Sequence, residues 1–142
     1  MMMYNSFMAM IQFPFLPCPV NQRYLSRRFI LSSKYRQSLA DIKRSIPPKT
    51  KVVDYPVFLD IIFFYSRDRD VDSGLKCLLD AFTGSVFVDD AQVIELRVQK
   101  IKVPKKAVRT SVIYGYKTEF GSDYDVNRDL LCTDTHDILV SP

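Results

Sequence analysis

At 142 residues the chain suits one domain with one core, and 47% hydrophobic and 25% charged residues exclude disorder along its whole length. Its net charge of +4 conceals two parts: residues 1–117 hold 19 Lys and Arg against 10 acids, whereas residues 118–142 hold one Arg against six acids. Three distant cysteines, Cys18, Cys77 and Cys132, exclude a disulfide framework, and with His136 as the single histidine a zinc site would need widely scattered ligands.

A basic body favours a polyanionic partner, of which nucleic acid is the commonest. The acidic end either shields that surface or is a solvated, partly disordered extension. Cys132 and His136 lie four apart in that end with no third group to orient them, so they do not make a nucleophile and base.

The opening "MMMYNSFMAMIQFPFLPCPV" is apolar, lacks a basic start and is broken by Pro14, Pro17 and Pro19. That fits neither a signal peptide nor a membrane span, and a cytoplasmic protein is expected. Met8 to Phe15 reads as a strand, and Asn21 to Leu31 as a basic loop or short strand. Lys34 to Ile46 reads as a helix, because Tyr35, Leu39, Ile42 and Ile46 recur on one face of a 3.6-residue period. Ser32 or Ser33 can cap it and Pro47-Pro48 stops it.

Val57 to Tyr65, "VFLDIIFFY", is apolar on both faces and should be a central strand covered on both sides. A helix follows, with Leu75, Leu78, Leu79 and Phe82 as its stripe and Thr83-Gly84 as its end. Gln92 to Val103 reads as a strand whose apolar parity changes, which predicts a bulge near Gln99. Pro104-Lys105-Lys106 makes a turn, and Val108 to Tyr116 alternates as a last strand. The order β-α-β-α-β-β predicts an α+β fold: a mixed sheet of about four strands with two helices packed on it. The other sheet face is then available to a second subunit.

Asp70 and Asp72 come just past the central strand, two residues apart, so an extended segment points both side chains to one side. Asp90 follows the intervening helix and is expected to approach them if the next strand pairs beside the central one. Carboxylates that close repel unless a cation offsets them, and hard oxygen ligands suit Mg²⁺, with Mn²⁺ as a plausible substitute. Such a metal can neutralise a phosphodiester under attack, and Lys76, one helical turn past Asp72, can steady the same charge. Asp89 is an additional candidate ligand. The structural alternatives are an N-cap for Asp72, with the helix starting at Ser73, and a solvated turn for Asp89-Asp90.

Residues 21–51 hold nine Lys and Arg against Asp41 alone, with Tyr24, Phe29 and Tyr35 interleaved. Cations for phosphates and rings for bases describe a nucleic-acid surface without a base-reading motif; the alternative is a solvated basic helix face. The candidate DNA contacts are Arg23, Arg27, Arg28, Lys34, Arg67 and Arg69.

The stretch "RDVDSGLKCLLDAFTGSVFVDDAQV", Arg69 to Val93, resembles the RusA family of Holliday junction resolvases. The family pattern is Arg-Asp-x-Asp-Asn, a helix with Lys and Leu-Asp-Ala-Leu, a short loop, and Asp-Asp-x-Gln-Val or Ile. "PCPVNQRY", Pro17 to Tyr24, is similar to the family's Pro-rich, Asn-containing segment. The resemblance implies a RusA-like endonuclease domain over residues 1–117, with residues 118–142 as an acidic C-terminal extension. It implies a homodimeric, Mg²⁺-dependent endodeoxyribonuclease that resolves four-way junctions by paired phosphodiester hydrolysis in DNA recombination and repair. Asp70, Asp72 and Asp90 then correspond to its catalytic, metal-binding aspartates, Lys76 to its catalytic lysine, and Asp89 to the other acid of that box. Ser73 replaces the family's Asn, Gly74 follows it, and the loop at residues 83–88 is about one residue shorter. The alternative is a catalytically impaired junction or nucleic-acid binding protein of the same fold.

Overall fold

The apolar runs sort onto two faces of one twisted sheet. The computed structural model describes residues 8–25 and 30–117. In chain order these form β1 (Met8–Phe13), β2 (Tyr24–Leu25), β3 (Ile30–Leu31), α1 (Ser33–Ser45), β4 (Val57–Tyr65), α2 (Leu75–Phe82), β5 (Val93–Lys102) and β6 (Arg109–Tyr116). The main sheet has the order β1-β6-β4-β5, while β2 and β3 pair as a small separate ribbon. β4 is antiparallel to β6 and parallel to β5, so the fold is the expected α+β arrangement of a mixed four-stranded sheet and two helices.

Alternation along β4 assigns the layers. Val57, Leu59, Ile61 and Phe63 join Ile11, Phe13, Val112 and Tyr114 under the helices, against Tyr35 and Ile42 of α1 and Cys77, Leu78, Ala81 and Phe82 of α2. Phe58, Ile62 and Phe64 point the other way and form a second cluster with Ile113, with Met8, Met10, Ile101 and Val103 against it. Burying each such side chain contributes roughly 1.5–3 kcal/mol. That is why a strand apolar on both faces takes the centre.

The helix signals hold with small shifts. Ser32 caps α1, its hydroxyl accepting from the Tyr35 N–H at 3.1 Å. α2 ends at Thr83, after which Gly84 takes φ +85, a conformation that favours glycine. The bulge expected near Gln99 lies instead at Ile94: the register steps from Val57↔Val93 to Phe58↔Glu95 and then runs unbroken to Tyr65↔Lys102. The parity change has another cause. Leu96 and Val98 stand beside Leu59 and Ile61 on the helix side, whereas Ile101 and Val103 serve the second cluster.

Cys18 and Cys77 are buried free thiols. The Ser38 hydroxyl accepts from the Cys18 N–H and from Cys77 Sγ, and burial pushes both thiols up, so they are packing groups and not nucleophiles. Cys132, His136 and the acidic extension lie outside the described residues.

Candidate metal and nucleic-acid site

β4 delivers the chain to a turn at the end of the sheet where β4 and β5 both finish, here termed the exit end. The turn is tied by the Ser73 N–H to Asp70 O (3.1 Å) and the Leu75 N–H to Asp72 O (3.0 Å). The Val20 N–H donates to Ser73 O at 2.9 Å, anchoring the turn to the segment after β1. Between them lies a cleft of about 380 Å³, lined by Asn21, Gln22, Arg69, Asp70, Asp72 and Ser73 among others. Asp70 and Asp72 are exposed there, and neither carboxylate has an ion-pair partner among the described residues. Gly74 is the residue before α2 and no side chain caps the helix, so Asp72 is not the N-cap.

Arg69 organises the turn. Its Nε donates to Ser73 Oγ at 2.7 Å and its Nη2 to Pro17 O at 3.0 Å. Burial lowers its pKa from the ordinary arginine value, and those two hydrogen bonds offset part of the desolvation of the cation. Arg69 is therefore a strut between β1's exit and the acidic turn. Expected as a DNA contact, it has its Nε and Nη2 engaged within the protein.

Lys76 makes an ion pair with Asp80 at 3.1 Å, the i,i+4 partner on α2. Asp80 also takes Arg23 at 3.5 Å and accepts a short hydrogen bond from the Tyr35 hydroxyl. Arg23 in turn lies over the Tyr24 and Tyr35 rings, at 4.8 and 5.4 Å from their centroids. Asp80 is thus the hub of a group of cations: its four-residue spacing and shared helix flank signal the Lys76 pair in the sequence, whereas nothing local signals Arg23 or Tyr35. Lys34 and Arg67 are exposed, whereas Arg27 and Arg28 lie outside the described residues.

Asp90 does not join Asp70 and Asp72 within the chain. β5 runs parallel to β4, so its start pairs with the start of β4 at Val57↔Val93. Gln92 confirms the position: its side-chain amide donates to Val53 O and Tyr55 O, just ahead of β4. At the other end the Lys100 ammonium donates to Arg69 O at 2.6 Å. From Val93 to Lys100 the strand climbs roughly 23 Å at about 3.3 Å per residue, which separates Asp90 from the acidic turn by on the order of 20 Å. Consistently, no three His, Cys, Asp or Glu among the described residues are grouped to hold a metal. The expectation that both acid pairs share one sheet end is corrected by the geometry of a strand-helix-strand unit, in which α2 returns the chain to the start of the strand.

The "DDAQV" box has its own local logic. Asp89 caps a 3-10 turn at Asp90–Gln92, its carboxylate accepting from the Ala91 N–H, while Gln92 Oε1 accepts from the Asp89 N–H. Asp89 is thereby engaged as a cap. Asp90 is exposed and takes no part in that box beyond its backbone.

Fold and turn together describe an α+β domain that offers two exposed carboxylates, without ion-pair partners among the described residues, and a cluster of cations around Asp80 near one end of a mixed sheet. A family model described as Endodeoxyribonuclease RusA matches residues 14–113, and the chain belongs to that endodeoxyribonuclease family. A search of curated proteins gives no match. No helix among the described residues is long and apolar enough to cross a membrane.

Proposed function

We propose that the protein is a structure-selective endodeoxyribonuclease that resolves four-way DNA junctions in recombination and repair. It acts as a homodimer and uses Mg²⁺, or Mn²⁺ in its place. The observation that carries this reading is the exposed Asp70 and Asp72 pair, which neither caps α2 nor has an ion-pair partner among the described residues, at a basic sheet end of a chain belonging to an endodeoxyribonuclease family.

Two carboxylates on one turn are hard oxygen donors of the right chemistry, but the described residues of one chain bring only these two acids together there. A second copy related by a twofold axis supplies the third, bringing its Asp90 to Asp70 and Asp72 of the first. The relation is reciprocal, so a symmetric dimer has two equivalent sites. When held by these three aspartates, the divalent ion supplies neutralisation of the phosphodiester charge. Lys76, anchored on α2 by Asp80, adds a cation beside the phosphate. Arg69 keeps the acidic turn in place, so the carboxylates need little reorganisation when the ion and strand arrive. Two sites on one dimer account for paired nicks.

Incubation of the protein with a synthetic mobile junction and Mg²⁺ tests the reading. Symmetric nicks in opposing strands are expected, and Asp70→Asn should abolish them while leaving junction binding intact or stronger. A folded wild-type protein that binds the junction without nicking it would leave only a binding module.

A further inference from the structure

β6 and β5 flank β4 on opposite sides, so the chain joining β5 to β6 must cross over the exit end of β4. The Val103 N–H donates to Tyr65 O at 2.8 Å as the crossing begins, and a 3-10 turn at Lys105–Ala107 completes it. This crossover places cations where the acidic turn starts. Lys100 and Lys102 extend over the Tyr65 ring, 4.9 and 5.8 Å from its centroid. Lys100 also donates to Arg69 O, and Lys102 pairs with Asp68 at 3.2 Å. Arg67, Lys105 and Lys106 are exposed and have no ion-pair partner among the described residues.

Lysines in a basic patch are ordinarily solvated, and alone they imply nothing. Here five cations, Arg67, Lys100, Lys102, Lys105 and Lys106, come from two separate segments. They converge on one sheet end, which leads directly into Asp70 and Asp72. Asp68, which begins the acidic turn, is already paired with Lys102. The 3-10 turn of the crossover, Lys-Lys-Ala, presents ammonium groups and has no aromatic ring to stack on a base, which fits backbone phosphates.

We infer that the crossover turn and the end of β5 form a further DNA-backbone surface, supplied by a different part of the chain from the basic segment at residues 21–51. It takes the phosphates of a duplex arm, with Lys105 and Lys106 as the principal free cations and Arg67 linking them to the cleft. This inference rests on the nucleic-acid reading above, but its test needs no cleavage.

Binding of labelled four-way junction and linear duplex is measured in EDTA over a range of NaCl concentrations, for wild type, Lys105→Gln/Lys106→Gln and Lys105→Arg/Lys106→Arg. Two lost phosphate contacts should lower the slope of log affinity against log salt by about 1.8, and affinity at 0.1 M salt by on the order of 50-fold. The arginine pair should keep the wild-type slope. An unchanged slope in the glutamine pair overturns the inference, as does an equal loss in the arginine pair, which would assign the effect to turn shape and not charge. Failure of the wild type to nick the junction would instead strike the endonuclease reading, leaving the salt slopes to decide this surface.

Discussion

Gly74 lies directly against Arg69: a Cβ at position 74 would stand 2.9 Å from Arg69 Nη2 and 3.2 Å from both Cβ and O of Pro17. The guanidinium crosses the start of α2 because that methyl is missing. A glycine that weakens the helix start therefore secures the acidic turn, and Ser73 supplies the hydroxyl that receives Arg69 Nε. Gly74→Ala should displace Arg69 from Pro17 O and lower stability by about 1 kcal/mol, the scale of one hydrogen bond. Urea unfolding measures the loss, and an unchanged midpoint would show that Pro17 and Arg69 move aside freely.

Adjacent acids should separate cleanly by role. Asp89→Ala removes a cap and should lower stability by about 1 kcal/mol while leaving substantial nicking. Asp90→Asn should leave the unfolding midpoint unchanged and abolish nicking. Unfolding curves and junction cleavage on both variants check the assignment. The reverse pattern would make Asp89 the metal-directed acid.

Much of the fold was legible because the relevant patterns are periodic. Tyr35, Leu39, Ile42 and Ile46 marked α1, and the two apolar faces of "VFLDIIFFY" marked the central strand, since both follow from burial alone. The site was legible only in part. Asp70 and Asp72 needed nothing beyond a strand end and a turn. Placing Asp90 required the direction of β5, which a residue's chemistry does not encode but a strand-helix-strand unit does. The roles of Gly74 and Gln92, and the tie of Asp80 to Tyr35, depend on partners distant in the chain, respectively Pro17, Val53 and Tyr35 itself, so local patterns show at most the Lys76–Asp80 pair.

Alkaline pH should test the packing of two phenols. Burial first, and then the hydrogen bond to Asp80, raises Tyr35 far above its ordinary value of 10.0. Burial, with Tyr55 nearby, pushes Tyr114 up to about 12. Folded values above unfolded ones mean that the contribution is complete below about pH 10 and is lost as pH rises, because the unfolded chain releases these protons first. Stability should therefore decline from about pH 10 towards pH 12, and Tyr114→Phe should lessen that decline. Urea midpoints across this range measure it, and identical declines for variant and wild type would contradict the account.

The central claim is an endonuclease site completed by a second copy, and mixing two inactive variants tests it most directly. Asp70→Asn and Asp90→Asn proteins are unfolded together, refolded as a mixture and assayed on a four-way junction with Mg²⁺. In a mixed dimer one site combines both lesions and the other has neither, so random pairing should restore roughly a quarter of the wild-type nicking sites. Restored cleavage, confined to one strand per junction, is the predicted result. A mixture as inactive as its parts, beside a wild type that cuts, would show that the acids meet within one chain and would contradict the account.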